Sequence, residues 1–156
     1  NGAFMSTETK TVKKKKKVFL EGPIDPQFIA DSIAKHQSKT NIGAHDIFLG
    51  QVRMDKIGDQ EVVAIEYTAY EELAEKELHL IREATFEKYK LSCMHIYHSL
   101  GRVDAGEICL FVFVSSPRRK DAFEASRYIV EEIKAKVPIF GKEILSDESH
   151  RWKENT

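Results

Sequence analysis

The chain has 156 residues, 42% of them hydrophobic and 31% charged, which fits one domain with a real core. Its formal charge of −1 at pH 7 supplies no global field towards nucleic acid or a membrane surface, so any anion binding must come from a local cluster. No apolar run is long enough for a bilayer span, and Cys93 and Cys109, both in apolar runs, read as small core residues of a protein in a reducing cytoplasm.

Residues 1–17 read as a basic, disordered arm. Met5 suits a native initiator, with Asn1 to Phe4 left over from cloning, and no apolar h-region follows the lysines to make a secretory signal. The run Lys13 to Lys17 is open to two readings, contact with an acidic partner or a solvated arm, and the second is the general expectation. Residues 18–156 read as a single domain. "VFLEG" is a short strand. "DPQFIADSIAKHQ" is a helix with Asp25 as its cap, Pro26 at its first position and Phe28, Ile29 and Ile33 on one face. "GAHDIFLGQVRMD" is a strand ending near Arg53, and the turn chemistry of "KIGDQ" pairs it in a hairpin with "EVVAIEYTAY". "EELAEKELHLIREATFEKYK" is an amphipathic helix with Ala74, Leu78, Ile81 and Ala84 on its apolar face.

"SCMHIYHSLG" is a further strand, closed by the turn "GRVDAGE". "ICLFVFVSS" is apolar at nearly every position, as a central strand covered on both faces would be. A long helix follows, with Ser116 as cap and Pro117 first. Its buried stripe is Ala122, Ala125, Ile129, Ile133 and Val137, and Pro138 ends it. "PIFGKEIL" is extended, and "SDESHRWKENT" is a polar tail. Hairpins mixed with helices, without strict alternation, give the α+β class.

Common cofactor signals are absent: no GxGxxG after a strand, no GxxxxGK[ST], no GxSxG and no HExxH. The six histidines lack close ligand spacing, and His95 and His98 point to opposite faces of a strand, so a metal site is not expected. What stands out is positive charge at the ends of elements. Arg118, Arg119 and Lys120 lie in the first turn of the long helix, where cations oppose the helix dipole. Either an anion compensates them, or they reach into water. Lys134 and Lys136 lie in its last turn, where cations are favourable for structural reasons alone. Lys134 borders the buried stripe, and partial shielding from water would make it a candidate base, nucleophile or anion holder. Lys142, after Gly141, is a candidate for the same place, and Arg53 is another.

These residues also carry a resemblance. "FLGQVR", "IEYTAYEELAEKEL", "HSLGRVDAGE", "VSSPRRKDAFEASRYIVEEIKAKVPIFGKE" and "RWK" resemble, in order and spacing, the large catalytic subunit of molybdopterin synthase over roughly residues 18–153. The resemblance implies an α/β-hammerhead fold. It implies a cytoplasmic homodimer within a heterotetramer, with a small ubiquitin-like subunit at each end. That partner carries sulfur as a thiocarboxylate on its C-terminal Gly-Gly tail. Two transfers convert precursor Z, a cyclic pyranopterin monophosphate, into the dithiolene of molybdopterin, with no metal or organic cofactor of the chain's own.

On the same ground Lys134 is catalytic, and Arg53, Phe48, Arg118 and Arg119 bind substrate, with Arg119 reaching the pocket from the other protomer. Arg118 stands where the family often has histidine, and Gly141 where it usually has a second functional lysine. Lys142, one residue later, is a replacement only if the backbone is irregular there. A non-catalytic subunit that keeps the partner surface is the alternative. A phosphate- or nucleic-acid-binding module is a third reading, disfavoured by the near-neutral charge.

Overall fold

The apolar patterns resolve into three helices and eight strands over residues 17–154, the residues described by the computed structural model. In chain order these are β1 (Phe19–Glu21), α1 (Pro26–His36), β2 (Ala44–Gln51), β3 (Lys56–Ile57), β4 (Gln60–Ala69) and α2 (Glu71–Lys88). They continue as β5 (Cys93–Asp104), β6 (Ile108–Ser116), α3 (Arg119–Lys136), β7 (Ile139–Leu145) and β8 (His150–Trp152). The strands form one mixed sheet ordered β2-β6-β5-β4-β7-β8, with β1 parallel to β5 and β3 antiparallel to β4. The α+β expectation holds. The basic arm lies almost wholly outside the described residues, and among those residues no helix is long and apolar enough to cross a membrane.

Two cores follow from the alternation along β5 and β6. Phe111 and Phe113 face α1, where Ile24 and Ile29 complete a small cluster. Val112, Val114 and Met94 face the opposite way, into the larger core closed by Leu78 and Ile81 of α2 and Ile129 and Ile133 of α3. Positions 110 to 114 are all at most 1% exposed, so β6 is covered on both faces as its composition requires. Each such side chain contributes about 1.5–3 kcal/mol relative to exposure. α1 starts as expected: Asp25 accepts a bond from the Gln27 N–H at 2.9 Å, and Pro26 is its first residue.

β5 is shared between two halves of the sheet. Cys93 to His98 pair with β6, Phe19–Glu21 of β1 joins at positions 98 to 100, and Tyr67 to Ala64 of β4 take positions 101 to 104. Gly101 makes the handover at φ +84°, and a Cβ there would lie 2.5 Å from the Glu21 carboxylate.

Five local expectations are corrected. β2 forms no hairpin with β4. It runs along the edge beside β6, and the turn at Gly58, φ +62°, joins β4 only to the two-residue β3. β5 continues through "GRVD", because Val103 is buried against β4 and the turn falls at Ala105 and Gly106 instead. Ser116 does not cap α3. It still belongs to β6, its hydroxyl donates to the Arg118 carbonyl, and Arg118 is the cap residue without a side-chain bond. Pro117 is not the first residue of α3, which starts at Arg119; the polar tail carries β8, which adds to the edge of β7.

Candidate active site

Pro138 organises the site. Val137 leaves helical geometry before it (φ −88°, ψ 126°) while its N–H still closes on the Ile133 carbonyl at 3.1 Å. The chain then turns back as β7 against β4, in a register that sets Gly141 opposite Tyr67. The end of α3, this turn and β7 enclose a cavity of about 320 Å³, lined by Lys134, Val137, Tyr67, His98, Gly141 and Lys153 among others. That is the size range of small-ligand pockets. Lys153 arrives from β8: its N–H bonds to the Gly141 carbonyl at 2.8 Å.

The floor of the cavity is neutral. His98 is 4% exposed, and burial pushes its imidazole down to about 4, helped by the positive charge of Lys134 and opposed by its bond to the Ser99 carbonyl. A carbonyl can only accept, so the proton of His98 sits on Nδ1, 2.8 Å from that oxygen, and Nε2 keeps its lone pair. Tyr67 packs edge-on against this ring at 5.0 Å and donates its hydroxyl to Cys109 Sγ at 3.4 Å. Burial, followed by the neighbouring Cys109 and Glu143, raises the Tyr67 phenol well above its usual value, so it stays protonated.

The rim is cationic. Lys134 is exposed in the single chain, not shielded as expected, because it projects from the flank of the final helical turn rather than from the buried stripe. Lys136 also borders the cavity, but Glu132 one turn earlier holds its ammonium at 2.7 Å. Its role as a solvated helix-end cation follows from that pairing.

The other expected residues lie elsewhere. β7 is regular here: Ile139, Gly141, Glu143 and Leu145 share the inward face. Lys142 points outward, paired with Glu66 at 3.1 Å. A step of one residue along a strand turns the side chain over, so Lys142 does not take the place open at Gly141. Arg53 follows β2 and is held by Asp55 at 3.2 Å, with its side chain 71% exposed. Phe48 is on β2, at the opposite edge of the sheet from β7 and β8, and is 38% exposed. Arg118 and Arg119 are exposed at the start of α3. Fifteen residues of helix, ~22 Å at ~1.5 Å per residue, separate Arg119 from Lys134. One chain therefore brings only Lys134 of the expected residues to the cavity.

Sequence reasoning missed Lys153, His98 and Tyr67 as lining residues. "RWK" was legible only as part of a resemblance, because a polar tail has no period from which a strand or a facing side chain can be read. His98 was legible in one respect: its face is opposite to that of His95, which stands beside His36 on the α1 side.

An α+β domain that brings three lysines and a buried neutral imidazole to one cavity is equipped to receive an anionic group. The comparisons agree on which such domain it is: residues 21–136 match the MoaE protein family, and the chain belongs to that family. Gly141 and Lys153 lie beyond the matched span. The molybdopterin synthase catalytic subunit of Pyrococcus abyssi is 36% identical over 115 residues, 74% of this chain and 76% of its own length. Among solved structures, molybdopterin synthase from Staphylococcus aureus superposes with a TM-score of 0.76 at 32% identity, covering 90% of this chain and 98% of the other. A protein–protein complex of subunits 1 and 2 of molybdopterin-converting factor from Helicobacter pylori superposes with a TM-score of 0.74. At 20% identity, over 88% of this chain and 89% of the other, it speaks to the fold alone.

Proposed function

We propose that the chain is the catalytic subunit of a molybdopterin synthase, working in the cytoplasm as a homodimer that binds a small sulfur-carrier subunit at each end. The observation that carries this reading is the cavity at the end of α3, where Lys134 and Lys153 border a pocket floored by neutral His98. Substrate phosphate and the partner's thiocarboxylate are both anionic, and two ammonium groups stabilise them more strongly once bound ligand has excluded water. Lys134 holds or protonates the charge that develops as sulfur is transferred. His98 Nε2, an unprotonated acceptor, takes a hydrogen bond from the pterin or from Lys134. No cofactor is required at this pocket. Arg119 and Arg118, too far from Lys134 within one chain, serve the pocket of the second protomer, and Arg53 and Phe48 extend the substrate surface.

Gly141 favours a second reading, a subunit that binds the carrier without turnover. Reconstitution separates the two. The purified chain is mixed with thiocarboxylated small subunit and precursor Z, and molybdopterin is measured as its fluorescent oxidised derivative. Product with the native chain and none with Lys134→Ala, the subunit complex being intact in both, is the expected result. A stable complex without product, beside a competent control synthase, establishes the non-catalytic reading.

A further inference from the structure

On the face of the sheet opposite the cavity, three residues that the proposed reaction does not use converge. They are His36 at the end of α1 and Cys93 and His95 on β5; each offers one ligand atom, and these atoms all lie within 4.8 Å of one another. We propose that His36, Cys93 and His95 form a binding site for a transition-metal ion of borderline softness, with Zn²⁺ the best match.

The donor set and its orientation carry the inference. His36 Nδ1 lies 2.8 Å from the Ser32 carbonyl, which only accepts, so that nitrogen holds the proton and Nε2 presents its lone pair. This is the outer bond by which metal-ligating histidines are usually oriented. His95 Nε2 is 3.0 Å from His36 Nε2. Two nitrogens on one tetrahedral zinc, each ~2.0 Å from it, are separated by roughly 3.3 Å, so this pair needs little adjustment.

Cys93 and His95 are two residues apart on a strand and therefore share a face. Phe113 supports the group from below, with its ring centroid 4.7 Å from that of His36 and 6.2 Å from that of His95. His36 and Cys93 are buried and His95 is half-buried, so the site has a dry side and an open side. Three protein ligands with a position left for water is the pattern of accessible zinc sites. Lys39 Nζ, 3.1 Å from Cys93 Sγ, is exposed. Its exposed side chain can swing aside as the ion enters.

Without metal, His95 Nε2–H donates to His36 Nε2. On binding, the His95 proton shifts to Nδ1 and the Cys93 thiol releases its proton to solvent, so the ion meets two neutral imidazoles and one thiolate. The pattern is invisible in sequence because its two parts lie 57 positions apart and only the Cys-x-His half is local.

The test uses the full chain, stripped with chelator and titrated with Co²⁺ and then with Zn²⁺. One Co²⁺ per chain, a thiolate-to-cobalt charge-transfer absorption and its displacement by Zn²⁺ are expected. Cys93→Ala should abolish that absorption. His95→Ala should weaken Zn²⁺ binding by more than the roughly 10–100-fold that loss of an outer-shell partner costs. Absence of stoichiometric binding to the folded native chain overturns the proposal, as does a charge-transfer band that survives Cys93→Ala. The native titration decides even if a variant fails to fold. Neither result bears on the synthase reading, which rests on the cavity at the other face.

Discussion

At the scale of single residues, Gly141 and Lys153 are to be considered together. Gly141 leaves the inward face of β7 without a side chain, and a Cβ there would lie 2.9 Å from Ile65 Cγ2 and 3.3 Å from Tyr67 Cε1. Gly141→Lys is therefore expected to cost about 1–3 kcal/mol through overpacking, measured by urea denaturation. Lys153→Ala should leave stability nearly unchanged and lower kcat/KM in the reconstituted assay by about 10–100-fold, the worth of one hydrogen bond to a charged group. Equal activity of Lys153→Ala and native chain would remove Lys153 from the site.

His98 gives a pH signature. Its folded value of about 4 lies below the ordinary 6.5, so the unfolded chain binds the extra proton between those limits. The associated stability is fully present above pH 6.5 and is lost as pH falls towards 4, by about 3 kcal/mol in all. Unfolding midpoints measured across that range should fall less steeply in His98→Asn, whose amide can still donate to the Ser99 carbonyl. Parallel curves would contradict the assignment.

At the scale of elements, the weak point is β8, a three-residue strand of exposed side chains that delivers Lys153. It is fastened to β7 by the ladder and by Arg151, whose Nε donates at 2.8 Å to Glu143, a carboxylate 3% exposed. Arg151→Ala leaves that buried carboxylate without its charged partner. A loss of about 2–4 kcal/mol is expected, together with lower activity as β8 frays. Combined with Lys153→Ala, the activity losses should not add, because both act through one side chain; additive losses would show separate roles.

The long elements were legible in sequence for a physical reason. α2, α3 and β6 bury whole stripes or faces, so their periods survive in the residues. The pairing of β2 with β6 and the start of α3 after Arg118 were not, because strand partners and exact cap positions depend on contacts far along the chain. The cavity was half legible: Lys134 is on a periodic helix, whereas Lys153 depends on where a short edge strand docks.

At the scale of the whole molecule, the separation of Arg119 from Lys134 along α3 makes a sharp demand. If a second protomer supplies the arginine, Lys134→Ala and Arg119→Ala homodimers are each impaired, yet mixed dimers hold one intact site. Mixing the two after reversible dissociation should restore activity that neither parent shows. No recovery, in mixtures proved to contain mixed dimers, would mean that each pocket is completed within its own chain.

β5 carries a further consequence for how this sequence can change. His98 looks into the cavity while Cys93 and His95 look out of the opposite face, and only the two-residue period of the strand keeps them apart. A single inserted or deleted residue between His95 and His98 would exchange inside for outside and damage both neighbourhoods at once. Over that stretch the chain tolerates substitution far better than any change of length by an odd number.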